Sequence, residues 1–171
     1  MPRRSNRTDA RPRGTVAHSG STSQFALAVP FDGIVEPVGV PNDLPAHVTV
    51  LVPAPGDVVA LTEVLAPFPP FDVTFARLDR FPGLLWLAPE PAEPFVALTE
   101  AVVDRFPSFP PYGGRYTSII PHLTVAAASL DETAGLVEPL LPLHSHVDSV
   151  VLYESPDGRR WQEAQTFDLD S

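Results

Sequence analysis

Apolar and polar residues alternate along much of this chain with the period of a β-strand, and in three places the period lengthens to that of a helix. Gln24 to Pro30 reads as a first strand, ended by its proline. His47 to Val52 is a second, followed by Pro53-Ala54-Pro55-Gly56-Asp57, which offers a turn and a helix N-cap. Val58, Leu61 and Leu65 then share one face of a helix that stops before Pro67. Phe71, Val73 and Phe75 alternate against Asp72, Thr74 and Ala76 in a strand over Phe71 to Leu78, and Leu84 to Ala88 is its hairpin partner across Pro82-Gly83. Phe95, Leu98, Val102 and Phe106 recur at spacings of three and four, so Glu93 to Phe106 is a second helix, closed by Pro107. A strand from Ile119 to Ala127, an acidic helix start at Ser129 to Glu132 and a helix to about Leu141 come next. Two strands finish the chain, His144 to Glu154 and Trp161 to Leu169, joined by the Ser155-Pro156-Asp157-Gly158 turn. Phe31 to Pro45, broken by three prolines and two glycines, is expected to be a loop over the mouth of a site.

Two of these strands carry one phrase. Ala46-His47-Val48-Thr49-Val50 and Pro121-His122-Leu123-Thr124-Val125 both read His-apolar-Thr-Val, with a proline shortly before the histidine. On a strand successive side chains point to opposite faces, so each copy offers one imidazole and one hydroxyl on one side and two apolar groups on the other. A single His-x-Thr is usually structural; two copies in matched surroundings point to a site. The order motif strand, helix, strand, hairpin, strand occurs twice, which predicts an α+β duplicated fold of two lobes. Two mainly antiparallel sheets with outer helices would meet around the motifs, leaving a cleft between the lobes.

Composition narrows the chemistry. The 171 residues are one domain's worth of chain and contain no cysteine, which excludes disulfides, thiolate nucleophiles and Cys-ligated zinc. No apolar run reaches membrane-spanning length and no apolar signal stretch opens the chain, so the expected location is cytoplasmic and no membrane partner is expected. Residues 1–23 are polar and hold five of the eleven arginines; they read as a disordered arginine-rich tail ahead of a domain over 24–171. From residue 14 onward six arginines and no lysine face twenty acids, a formal charge of −14. Such a body repels a phosphate polymer, so no long nucleic acid is expected and the substrate should be small.

The paired motifs resemble those of the 2H phosphoesterase superfamily, most closely its bacterial 2′-5′ RNA ligase-like and cyclic phosphodiesterase members. The likeness extends to Phe25-Ala26-Leu27-Ala28-Val29-Pro30, Leu84-Leu85-Trp86-Leu87-Ala88-Pro89, Pro110-Pro111-Tyr112 and the stretch from Trp161 to Leu169, and covers nearly all of the chain from about Gln24. It implies a two-lobed fold with one motif per lobe and a reaction needing neither metal nor cofactor. The likeness breaks after the second motif, where some RNA-acting relatives carry an arginine and this chain continues Ala126-Ala127-Ala128.

Hydrolysis of a cyclic phosphodiester needs one proton removed from water and one delivered to the leaving oxygen. Two imidazoles titrating near pH 6.5 can be base and acid together. His47 and His122 are the candidates for proton transfer, and Thr49 and Thr124 for hydrogen bonds to non-bridging phosphate oxygens; the resemblance implies these roles. In the Ser108 to Ser118 loop, Arg115 is a candidate for pairing with a phosphate and Tyr112 or Tyr116 for stacking on a base. The expected activity is opening of a 2′,3′-cyclic nucleotide or related small cyclic phosphate, by a monomer. A 2′-5′ ligase or phosphodiesterase acting on RNA ends, possession of a nucleotide-binding site without catalysis, and a metal site built from His47, His122, His144 and His146 are the alternatives.

Overall fold

The computed structural model describes residues 23–115 and 118–170; the arginine-rich stretch 1–22 and the candidate Tyr116 lie outside them. Strands β1 (Gln24–Pro30), β2 (His47–Leu51), β3 (Phe71–Phe81), β4 (Leu84–Glu90), β5 (Leu123–Ala126), β6 (Leu143–Val147), β7 (Ser149–Ser155) and β8 (Gln162–Asp168) alternate with helices α1 (Val58–Leu65), α2 (Glu93–Arg105) and α3 (Leu130–Val137). The class is α+β, as the pattern predicts.

The expected pair of sheets is instead one antiparallel sheet of eight strands in the order β6-β3-β4-β5-β2-β1-β7-β8. Each motif strand is the innermost strand of its own four-stranded half, and β2 and β5 join the halves through a single register position, Val48 opposite Leu123. Both side chains are fully buried. Period-2 alternation identifies each strand and says nothing about which others it pairs with.

The expected strand His144 to Glu154 is in fact two, divided at Asp148. Its first part, β6, pairs with β3 at one edge of the sheet; its second, β7, lies between β1 and β8 in the other half. The second motif strand is shorter than expected, Leu123–Ala126 rather than Ile119 to Ala127, so His122 stands just before its first residue. Pro121 has no N–H to donate to a ladder, which limits pairing there.

Helices α1 and α2 pack on the β2 half and α3 on β4 and β5. Their apolar stripes lie as predicted: Leu61 and Leu65 of α1, and Phe95, Leu98 and Val102 of α2, are buried in one core with Leu27, Val48, Phe75, Leu87, Leu123 and Leu152. Asp57 caps α1, its carboxylate accepting from the Ala60 N–H at 3.0 Å. Ser129, expected to cap α3, makes no such side-chain bond and sits in the left-handed region at φ 53°. The opposite face carries a smaller apolar cluster of Ala28, Val151 and Tyr153, with Leu44 and Trp161 against it.

The β1–β2 loop is anchored in the other half of the sheet. Val38 accepts from the Ala127 N–H at 2.8 Å and donates to the Val125 carbonyl at 2.9 Å. Gly39 follows at φ +69°, where a Cβ would stand 2.5 Å from the Ala128 Cβ. Gly39→Ala is therefore expected to cost about 1–3 kcal/mol through overpacking and backbone strain, read as a lower urea midpoint with unchanged slope.

Candidate active site

The two motifs are built alike. Leu27 faces Leu51 while its neighbour Ala28 faces Thr49, so β2 carries one extra residue, Val50. Leu85 faces Ala126 while Trp86 faces Thr124, so β5 carries one extra residue, Val125. Each bulge thus falls at the fourth position of its motif, bending the strand immediately beyond the threonine. A bulge takes its carbonyl out of the regular ladder, and both are satisfied from elsewhere: Val50 accepts from the buried Thr99 hydroxyl of α2 at 2.7 Å, and Val125 from the Val38 N–H.

Val48 and Leu123 point into the core, so the residues flanking them point to the other face. Extending their antiparallel register by one residue in each direction sets Thr49 against His122 and His47 against Thr124. The four candidates named from the motifs thus share one face at the centre of the sheet, in a head-to-tail arrangement.

Both imidazoles are held in the same way. Nδ1 of His47 lies 2.8 Å from the Pro45 carbonyl and Nδ1 of His122 lies 2.8 Å from the Ile120 carbonyl. A carbonyl only accepts, so each Nδ1 carries the hydrogen and each neutral ring keeps its lone pair on Nε2. Burial lowers both pKa values below the ordinary imidazole range, against the carbonyl bonds, which favour the charged form; His47 is lowered further by charge on His122.

The surroundings of the two rings differ. Phe81 and Trp86 stack at 4.7 Å and both approach His122 edge to face, at 5.4 and 5.8 Å between ring centres. The Trp86 indole N–H is buried without a partner among the described residues. Tyr112, at φ 52°, donates its hydroxyl to the Ile120 carbonyl at 3.2 Å, the same oxygen that holds His122, and it borders a small hollow with Thr49. Arg115 is exposed and forms no ion pair among the described residues. His144 and His146 do not join the site. They lie on edge strand β6, separated from β5 by strands β3 and β4, bound to Thr74 at 3.0 Å and Asp72 at 2.6 Å. Among the described residues no group of three or more ligating side chains could hold a metal ion.

Thr99, Val38, Phe81 and the orienting carbonyls are absent from the residues picked by motif. The roles of Thr99, Val38 and Phe81 come from contacts between segments far apart in the chain, whereas the orienting carbonyls lie two residues before each histidine, where the proline beside each motif signals them.

A family model described as the 2′-5′ RNA ligase superfamily matches residues 39–159, a span holding both motifs. The fold is similar to that of E. coli LigT in apo form, at 18% identity and a TM-score of 0.57 over 87% of this chain and 98% of that one. E. coli LigT complexed with 3′-AMP gives 16% and 0.56 over 87% and 99%. TT0787 of Thermus thermophilus gives 16% and 0.56 over 85% and 97%. At these identities the likeness is one of fold. No curated protein sequence matches. No helix among the described residues is long and apolar enough to cross a membrane.

Thr99→Val is expected to lose about 1–3 kcal/mol by leaving the Val50 carbonyl buried and unpaired, whereas Thr99→Ser keeps the bond; urea midpoints separate them. Because both histidines bind protons less readily folded than unfolded, the stability of their neutral forms is full above about pH 6.5 and is lost as pH falls through the lowered values. A His47→Gln/His122→Gln variant should show a shallower fall between about pH 7.5 and 5.5 than the parent.

Proposed function

The chain belongs to the 2′-5′ RNA ligase superfamily, within the 2H phosphoesterases, and on that premise we propose that it is a cyclic phosphodiesterase acting without metal on a 2′,3′-cyclic nucleotide or a related small cyclic phosphate. The observation that carries this reading is the pair of Nδ1-anchored imidazoles, one from each motif, next to the position where the two motif strands pair at Val48 and Leu123. Nucleotide ligands of a protein with the same fold, E. coli LigT with 3′-AMP, ATP or NADP+, support a site of nucleotide size.

In this mechanism phosphorus sits between the two Nε2 atoms. His47 takes a proton from water, which attacks phosphorus, and His122 gives its proton to the departing sugar oxygen; the ring opens to a phosphomonoester and the proton inventory is conserved. The division of roles is supported by the two environments. Charge on His122 opposes protonation of His47, and the Ile120 carbonyl bonded to Nδ1 of His122 favours the charged form of that ring. Thr49 and Thr124 donate to the non-bridging oxygens, and the exposed Arg115 is the proposed partner of the same phosphate. Tyr112 orients His122 through the shared Ile120 carbonyl, and Tyr116 remains a candidate for base contact. The acidic body favours a small ester over an RNA polymer, and the mechanism puts the working site in a cleft between the two halves of the fold.

The 2′-5′ ligation that names the family is the second reading, and incubation with cleaved RNA halves bearing cyclic phosphate and 5′-hydroxyl ends tests it directly.

His47→Ala and His122→Ala should each reduce kcat/KM on a 2′,3′-cyclic nucleotide by about 10²–10⁴, with EDTA without effect and the double variant costing less than the product of the singles. On a phosphodiester with a nitrophenolate leaving group, which needs no acid, His122→Ala should recover most of its rate and His47→Ala none. Full activity of His47→Ala on the cyclic nucleotide would overturn the scheme. The pH profile of kcat/KM should be a bell whose two limbs both lie below about 6.5, since both free imidazoles are lowered. The kcat profile should lie at higher pH, because a bound phosphate anion favours the charged rings.

A further inference from the structure

The face of the sheet that carries His47 and Thr49 also holds a cavity of about 430 Å³, within the range of ligand pockets. Thr49 faces Ala28 in β1, and Ala28 belongs to the apolar cluster with Val151 and Tyr153, so these side chains lie on one side of the sheet. The cavity opens there, between the β1–β2 loop and strands β7 and β8. Its wall includes Pro45 and Ala46, the two residues leading into His47, and the Pro45 carbonyl is the one that orients the His47 ring.

Its lining has a consistent chemistry. Asp32, Glu36, Asp43 and Glu163 contribute carboxylates, and no lining residue is basic. Asp43 accepts from the Trp161 backbone N–H at 2.9 Å, tying the loop to the start of β8 and placing the indole of Trp161 in the wall. The Tyr153 side chain, 3% exposed, lines the same cavity, and its hydroxyl has no hydrogen-bond partner among the described residues. Burial and the carboxylates of Glu163 and Asp32 push its ionisation up to about 12, so it stays a neutral phenol beside two acids. A buried, unpartnered hydroxyl is uncommon in a folded chain, and this one belongs to a residue in the wall of a cavity large enough for a nucleobase.

We propose that this cavity receives the nucleobase of the substrate and selects a base bearing an exocyclic amine. The proposal rests on the phosphodiesterase reading for the position of the phosphate. Carboxylates only accept hydrogen bonds, so an amino group satisfies them where a carbonyl oxygen at the same ring position meets repulsion. Trp161 supplies a flat surface against which the base packs, and Tyr153 closes the wall beneath as a buried neutral phenol. A second phosphate entering this wall would be repelled, which makes a nucleoside with a single cyclic phosphate the matching substrate.

Cytosine and uracil have the same ring size and differ in having an amine or an oxygen at one position, so they isolate the contact. The experiment measures kcat/KM for cytidine and uridine 2′,3′-cyclic monophosphates, and in parallel calorimetric binding of cytidine and uridine 3′-monophosphates. Both are repeated on an Asp32→Asn/Glu163→Gln variant, whose exposed, volume-conserving changes leave the fold intact. The expected result is a cytidine preference of about tenfold or more in the parent, from one charge-assisted hydrogen bond, narrowing toward parity in the variant. Equal turnover and equal binding of the two bases, or a preference that survives the double substitution, would overturn the proposal and leave the phosphodiesterase reading standing. Cytidine-selective binding that the variant loses, with no turnover of either cyclic nucleotide, would uphold the cavity's role and remove the phosphodiesterase reading. Absence of both binding and turnover would remove both.

Discussion

The pairing of β2 with β5 at Val48 and Leu123 is the contact on which the rest of the structure depends. One antiparallel register position joins two four-stranded halves, and its direction sets what stands beside what. Had the strands run parallel, like residues of the motifs would lie side by side, imidazole by imidazole and hydroxyl by hydroxyl. Running antiparallel, the extended register sets each imidazole against the hydroxyl position of the other motif. Burial of both apolar partners stabilises the join and turns the flanking polar residues toward the open face.

Precision at the site comes from backbone groups more than from side chains. Each imidazole is oriented by a carbonyl two residues upstream, and each motif ends in a bulge whose freed carbonyl is bound by a group from a distant segment. A ring tied at Nδ1 cannot offer the other tautomer without breaking that bond, which keeps the lone pair on Nε2. The two bulge clamps are chemically different, a threonine hydroxyl from α2 in one half and a loop N–H in the other. The common requirement is a satisfied carbonyl, and the two halves meet it by different means.

The site is asymmetric around a symmetric centre. On the His122 side stand Phe81 and Trp86; on the His47 side lies a cavity walled by carboxylates, Tyr153 and Trp161. Burial lowers the pKa of both rings, and charge on His122 lowers that of His47 further. A body with a formal charge of −14 beyond residue 13 repels anions at long range, and salt screens that repulsion within about a Debye length.

Alternation and helical spacing by themselves determined the motif faces that carry His47, Thr49, His122 and Thr124 and the apolar stripes of α1 and α2, because these depend on residues within one or two turns or pleats of one another. Asp57 is legible as a cap for the same reason. Tertiary structure alone decided that the halves form one sheet, that the segment from Leu143 to Ser155 divides at Asp148 and serves both of them, and that His144 and His146 go to an edge. It also decided that Thr99 and Val38 clamp the bulges, that Tyr112 shares the carbonyl of His122, and that four scattered acids line one cavity beside His47. Strand pairing and cavity walls are made by residues tens of positions apart, and the local period of a strand is the same whichever neighbour it finds.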